Sequence, residues 1–180
     1  MPVVHQFSLA VQNTAYFTAL RESALVYPII LASHLATIAI FGGLILMTDL
    51  RLLGLAMTKI PASQVIARTR PFKHAGLLIM VTLGIHLGGS KLADYYDNPY
   101  FWMKLSLLLL VFVHAMVFRR GVYRNPAAVD AADGPPRIAK VAACLSLALW
   151  IGILSCGRWI AYYDRPEGQQ ARANQIGRQR

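Results

Sequence analysis

Long runs of apolar residues alternate along the chain with short polar stretches. Four runs, each of about 20 residues, are long enough to cross the hydrocarbon core of a bilayer as an α-helix. We number them as spans one to four, and they cover residues 25–48, 72–92, 101–118 and 138–163. The third is just long enough for a straight crossing. The pattern predicts an all-α fold, an integral membrane four-helix bundle over residues 24–163.

The two ends of the chain follow other patterns. Within residues 1–23, side chains that are apolar except at one threonine recur at steps of three and four: Val4, Phe7, Val11, Thr14 and Phe17. A soluble core helix has the same stripe, but the adjacent span favours an amphipathic helix lying in the membrane interface. Ser23 is the expected N-cap of span one. Residues 164–180 are rich in Gln, Arg and Gly, which predicts a disordered basic tail.

Composition agrees with a membrane protein. Hydrophobic residues make up 56% of the chain and charged residues 14%, against about 45–50% and about 25% in soluble domains. The net charge of +10 would raise the question of nucleic acid in a soluble protein. Here the basic residues lie mostly between the spans and in the tail, where they suit anionic lipid head groups. We therefore expect the lipid bilayer as a partner and no nucleic acid.

The basic residues also predict an orientation. Five of them follow span one (Arg51, Lys59, Arg68, Arg70, Lys73), and five follow span three (Arg119, Arg120, Arg124, Arg137, Lys140). The positive-inside rule then predicts a multi-pass protein of the bacterial inner membrane with both termini periplasmic. Four arginines in the tail favour the opposite orientation, but they lie farther from a span. Asp49, at the end of span one, is expected to interact with Arg51 or lipid.

Four of the five histidines lie within spans, where ionisable residues are costly and mark functional sites. At ~1.5 Å per residue, His34 and His86 lie ~14 and ~9 Å below the outer surface. His74 and His114 both lie near the inner surface. The sequence thus predicts two pairs, one in each leaflet, and each pair bridges two helices. His5, outside the spans, is expected to be solvated.

Such pairs have the chemistry of haem ligands, because the iron of a six-coordinate haem b takes one imidazole on each side. His74 and His86 are ~18 Å and ~120° apart on one helix, so span two would have to touch both span one and span three. Gly84, Gly88 and Gly89 would leave room for a porphyrin edge beside His86, although ordinary helix packing explains them equally well. We predict one or two haem b groups.

Three basic side chains are candidates for pairing with haem propionates. Arg70 lies near the predicted inner surface, whereas Lys104 and Arg158 lie near the outer one. Simple anchoring of these cations at the membrane interface is the alternative reading.

The chain resembles the small multi-span b-type cytochromes, in which four-helix bundles hold two haems. The resemblance spans residues 24–163 and rests on His34 in ILASHLAT, His74 in PFKHAG, His86 in LGIHLGG and His114 in VFVHAM. The layout also resembles copper-resistance-type and uncharacterised four-span membrane families. The resemblance to the b-type cytochromes implies an electron carrier. It would act between the quinone pool and a protein partner in a redox complex, as an oxidoreductase subunit. The spacing of His74 and His86 is shorter than in many two-haem cytochromes.

A second interpretation stays open. The chain would be a non-catalytic membrane subunit or a small metal or proton transporter, with histidines that hold helices together or relay protons. The sequence has no Gly-rich phosphate loop, no nucleophile elbow and no paired acids within a span. It therefore offers no hydrolase or transferase chemistry, and it leaves open whether the chain is itself an enzyme.

Overall fold

The computed structural model describes residues 3–124, 129–130 and 134–163, and every element in these ranges is helical. Two short helices, α1 (Val3–Gln12) and α2 (Ala15–Glu22), precede the long helix α3 (Val26–Leu53). They are followed by α4 (Ala62–Ser90), the short α5 (Leu92–Tyr96) and α6 (Pro99–Phe118). A π-helical turn (Arg119–Tyr123) extends α6, and α7 (Arg137–Tyr163) completes the described chain.

Four of these helices are long and apolar enough to cross a membrane: α3, α4, α6 with its π-helical turn, and α7. Large apolar side chains cover their outer faces, as at Ile40 and Leu78, which are 68% and 70% exposed. An outer surface of this kind is matched to lipid, because contiguous apolar patches of such extent are rare on soluble monomers. The predicted all-α membrane bundle is confirmed.

Two long helices extend beyond the runs that hydropathy delimits. Helix α3 continues through Asp49 and ends at Gly54, whose φ of +78° is the left-handed conformation that favours glycine at a helix C-terminus. Helix α4 begins at Ala62, well ahead of Phe72, and contains Pro71. Much of the polar segment after span one is therefore helical.

The start of α4 is capped from a distant part of the chain. Its N-cap residue, Pro61, has no side-chain hydrogen bond to offer. Instead, the backbone N–H of Ser63 donates to Asp130 Oδ1 over 3.1 Å, and the Ser63 hydroxyl donates to Oδ2. Slight burial acts to raise the pKa of Asp130, but these hydrogen bonds outweigh it and the pKa lies below its ordinary value. A carboxylate here also complements the positive end of the helix dipole.

The N-terminal segment forms two helices instead of one. Thr14 ends the continuity, because its side chain caps α2 by accepting a hydrogen bond from the backbone N–H of Phe17. Helix α1 turns its polar residues Ser8 and Gln12 toward the protein and leaves Phe7 64% exposed. An outward apolar face is the arrangement expected of an interfacial helix. The predicted N-cap at Ser23 is wrong by two residues, because Leu25 is the N-cap of α3; the Ser23 hydroxyl still accepts a 3.0 Å hydrogen bond from the backbone N–H of Val26.

The long helices pack in the order α4, α3, α7, α6. Helix α3 packs on α4 and α7, and α7 packs on α6. In the described residues, α4 and α6 share no interface comparable in size with the α3–α4, α3–α7 and α6–α7 interfaces. The expectation that span two touches both span one and span three is therefore wrong. The cause is α7, which lies between α3 and α6 and buries small and apolar side chains along one face: Ala139, Ala142, Ala143, Ser146, Leu149, Trp150, Ile153, Cys156 and Ile160.

An apolar layer divides the bundle at mid-height. Phe41 meets Trp150 edge to face at 5.3 Å, and Met80 and Ile153 complete this layer. We name the two ends of the bundle after the side chains that lie there. The aromatic end contains the start of α3 and α6 and the end of α4 and α7, with Tyr95, Tyr96, Tyr100, Trp102 and Trp159. The basic end contains the opposite termini of the same helices, with Arg51, Arg70, Arg119, Arg120 and Arg137.

Candidate functional site

His34 lies inside the bundle, toward the aromatic end. It is 9% exposed, and its Nδ1 is buried without a hydrogen-bond partner. The ring lies against the backbone of α4, since a Cβ added at Gly84 would be 3.4 Å from Cε1 of His34. The His34 ring also has a hydrogen bond with the backbone of Met80 in α4. A polar side chain is thus placed among apolar helices with one nitrogen unsatisfied, an arrangement that costs free energy unless a partner is supplied.

Lys104 brings a positive charge from α6 toward the same region. Its charge acts on the His34 ring, and its Nζ would lie 3.9 Å from a Cβ added at Gly157 of α7. Cys156 also interacts electrostatically with this ammonium group. The site therefore draws on α3, α4, α6 and α7.

His86 is held in one tautomer by a hydrogen bond within α4. Its Nδ1 lies 2.7 Å from the carbonyl oxygen of Thr82, and a carbonyl can only accept, so Nδ1 carries the proton. In the neutral ring, Nε2 then keeps a lone pair, as in histidines that bind metals. The ring is half-buried and meets Tyr16 of α2 edge to face at 5.9 Å.

The described contacts do not bring His34 and His86 together. His86 follows Gly84 by two residues, and this step turns the side chain by about 200° around the helix axis. Gly84 faces His34 on one flank of α4, and His86 contacts Tyr16 on another.

His114 and His74, the predicted inner pair, are also apart. His114 is buried, and its Nε2 lies 2.9 Å from the carbonyl oxygen of Ala142 in α7. Its ring packs on Phe118 and Tyr123, with centroids 4.8 and 6.4 Å away. His74 is exposed on α4, which does not pack on α6 to any comparable extent.

The predicted cations take different positions. Arg70 is exposed and its Nη2 donates to the carbonyl oxygen of Tyr123 over 2.6 Å, so it ties α4 to the π-helical turn. Arg158 donates to the hydroxyl of Tyr162 over 2.7 Å and lies over that ring at the aromatic end. Only Lys104 of the three reaches the surroundings of His34. His5 is half-buried, against expectation, because its ring meets Tyr96 at 5.1 Å.

The structure also contains a buried carboxyl group, that of Asp49, which the sequence predicted to lie at the membrane boundary. Asp49 is 2% exposed, and its hydrogen-bonding side chain is Ser146 of α7, so the expected interaction with Arg51 or lipid is corrected. One signal for this was present in the sequence. His34, Phe41 and Thr48 follow each other at steps of seven, which places them on one helix face together with the neighbouring Asp49.

Residues 15–163 match a family described as a family of unknown function, DUF6644. The match covers most of the 180 residues, and the chain belongs to this family. No curated protein and no solved structure matches the chain.

Proposed function

We propose that this member of the DUF6644 family is a membrane electron carrier that binds one haem b through His34. The observation that carries the proposal is the environment of that ring. It is buried between apolar helices, has an unpartnered nitrogen, and faces a glycine in place of a side chain.

The donor chemistry at His34 fits a haem. A neutral imidazole ligates iron through a ring nitrogen, and ligation would satisfy an atom that otherwise costs about 1–3 kcal/mol to bury unpaired. The missing side chain at Gly84 lets the His34 ring lie close to the backbone of α4, which would fix the orientation of a ligating imidazole. The positive charge of Lys104 acts on the ring, and a cation in this region would suit the negative propionates of a haem.

His86 is the candidate second ligand. Its Nδ1 hydrogen bond to Thr82 fixes the tautomer that leaves Nε2 available, which meets the chemical requirement for an axial ligand. The described contacts leave it apart from His34. We therefore assign His34 alone as a ligand, and the number of iron ligands is to be measured.

The inner histidines do not fit a second haem. Nε2 of His114 is engaged with the Ala142 carbonyl, and His74 is exposed on a helix that has no comparable interface with α6. Arg70, the predicted partner of an inner propionate, is engaged with the Tyr123 carbonyl. We therefore propose one haem in place of two.

A haem b supplies reversible transfer of one electron. The protein supplies the rest: His34 would orient the group, the apolar layer at Phe41 and Trp150 would keep water away from it, and Lys104 would favour its reduced form by charge. Arg158 also lies at the aromatic end, but it is engaged with Tyr162 and is not assigned to a propionate. A membrane quinone would exchange electrons with this site, and a redox protein would be the partner at the bacterial inner membrane.

The optical spectrum of the detergent-solubilised protein tests the proposal. The protein is expressed with a haem precursor, purified, and measured oxidised and then reduced with dithionite. We expect a Soret band that sharpens and shifts on reduction, together with b-type bands in a pyridine extract. A colourless protein under these conditions would remove the haem proposal.

His86→Ala measures the coordination number. If His86 is the second ligand, the spectrum changes from six-coordinate low-spin to five-coordinate high-spin and the haem stays bound. An unchanged low-spin spectrum would exclude His86 as a ligand and leave His34 with another partner. His74→Ala is the matched control, because it removes an exposed histidine from the same helix.

The second candidate function is that of a membrane subunit or small metal or proton transporter with structural or relaying histidines. The hydrogen bond between His114 and Ala142 favours it, because it joins α6 to α7 without any ligand. This candidate predicts a colourless protein in which His34→Gln changes stability or transport and no absorption band. In the described residues no group of three or more metal-ligating side chains is present.

A further inference from the structure

A carboxyl group lies buried in the half of the bundle toward the basic end. Asp49 of α3 is 2% exposed, and its Oδ2 is a buried atom with no hydrogen-bond partner. It follows His34 by fifteen residues, or ~22 Å along the helix, so it is far from the proposed haem. Ionisable groups at such positions in a membrane protein are costly and mark ion or proton paths.

The groups around Asp49 form a polar layer to which α3, α4, α7 and the π-helical turn contribute. Ser146 of α7 hydrogen-bonds to the carboxyl group, and the charge of Lys73 on α4 acts on it. Lys73 Nζ itself donates to Thr48 Oγ1 over 3.1 Å, and Thr48 is 3.3 Å from Thr69 Oγ1. The ammonium group is thereby held beside the carboxylate through a neighbouring hydroxyl.

Two more ionisable side chains face this layer. Tyr123, in the π-helical turn, interacts electrostatically with Asp49, and Arg70 acts on Lys73 from one turn below on α4. The layer thus contains one acid, one lysine close to it, and an arginine and a tyrosine at its border.

A cavity lies between the start of α4 and the π-helical turn, at the basic end of the bundle. It has a volume of about 300 Å³, and its walls include Ser63 and Arg70 of α4 and Tyr123 of the π-helical turn. This is ample for several water molecules, and the hydroxyl, guanidinium and carbonyl groups of its walls are partners that bound water requires. Tyr123 lines the cavity and also interacts electrostatically with Asp49, so the cavity is the polar space that adjoins the surroundings of the acid.

We propose that Asp49 is a proton-binding site of the bundle, loaded from the basic end, with Lys73 as its movable counter-charge. The step is a simple transfer: hydronium in the cavity gives its proton to Oδ2, water leaves, and the carboxylate becomes a neutral acid. Lys73 then loses its attraction to this site, and its long stem lets the ammonium move toward the surface. A purely structural charge pair would stay ionised on both sides at all working pH values.

Infrared difference spectroscopy of the full-length protein in lipid vesicles tests the proposal. We expect the carbonyl stretch of a protonated carboxyl group to appear as the pH falls and to shift in deuterated water. Asp49→Asn should abolish this band, because the amide keeps the shape and the bond to Ser146 but cannot titrate. Asp94→Asn, which removes an exposed acid at the aromatic end, should leave the band unchanged.

Three results would overturn the proposal: no such band in the wild-type protein, the same band in Asp49→Asn, or the loss of the band in Asp94→Asn. Lys73→Met sharpens the test, because removing the cation should make the band persist to higher pH; an unmoved titration would refute the counter-charge. If Asp49→Asn does not fold, Asp49→Glu keeps a titrating group and should shift the band frequency without abolishing it. None of these readouts depends on haem.

Discussion

His34 and His114 are the same residue type at nearly the same degree of burial, and they have opposite surroundings. They are 9% and 7% exposed. His114 Nε2 is hydrogen-bonded to the Ala142 carbonyl, whereas His34 Nδ1 has no partner. Burial alone therefore does not identify a functional histidine in a membrane bundle. Under the haem proposal, what sets His34 apart from His114 is its unsatisfied nitrogen, which is costly to keep between apolar helices without a ligand.

The largest expected effect is on haem content. His34→Ala should reduce haem per chain to background, because it removes the proposed iron ligand. His114→Ala should keep haem content within about twofold of wild type, since its ring is engaged with α7. The pyridine extract of each purified variant, divided by protein concentration, measures this. Equal haem loss in both variants would break the contrast between the two residues.

The next effect is on stability. His114→Ala leaves the Ala142 carbonyl without its side-chain donor and removes contacts with Phe118, so unfolding in detergent should become easier by about 1–3 kcal/mol. His114→Gln, which retains a donor, should recover part of this loss. Thermal unfolding followed by circular dichroism is the measurement. A variant as stable as wild type would show that the hydrogen bond contributes little.

A smaller effect is expected on the reduction potential. Lys104→Met removes a cation near His34, and ferric haem, which carries the extra positive charge, is then less disfavoured. The midpoint potential should fall by about 60 mV, or about 1.4 kcal/mol for one electron. Lys140→Met, an exposed cation at the start of α7, is the matched control and should move the potential little. A rise in potential for Lys104→Met would contradict the placement of the haem.

The smallest effect concerns the glycines of α4. Gly84→Ala puts a methyl group 3.4 Å from Cε1 of His34, and we expect haem affinity to fall by at most about tenfold, or ~1.4 kcal/mol. Gly88→Ala meets nothing within 4 Å, so it should leave affinity unchanged and gain about 0.5–1 kcal/mol of helix stability. Haem titration of the apo-proteins compares the two. Equal affinities would show that the ligand does not approach Gly84.

Hydropathy was sufficient for the number and type of the long helices, because a bilayer demands apolar segments of a set length. Their lengths were harder to predict. Asp49 and Lys73 carry charges that normally end a span, yet each continues a helix and faces a polar layer inside the bundle.

Helix neighbours could not be predicted from the sequence at all. The histidine pairs assumed that α4 lies between α3 and α6, but α7 takes the place beside α6, because its small residues allow close packing. Residue counts predict a depth for His34 and for His86, whereas whether the two side chains meet depends on which face of α4 packs on α3. The proximity of Lys104 to His34 arises from the same packing and has no signal in the sequence alone.

The number of haem groups per chain tests the central claim most directly. The measurement divides haem iron, from the pyridine extract and from metal analysis, by the protein determined by amino-acid analysis. One haem per chain in the wild type, and none in His34→Ala, is the predicted result. Two per chain would contradict the single site at His34, and a value near zero after expression with a haem precursor would contradict the haem proposal itself.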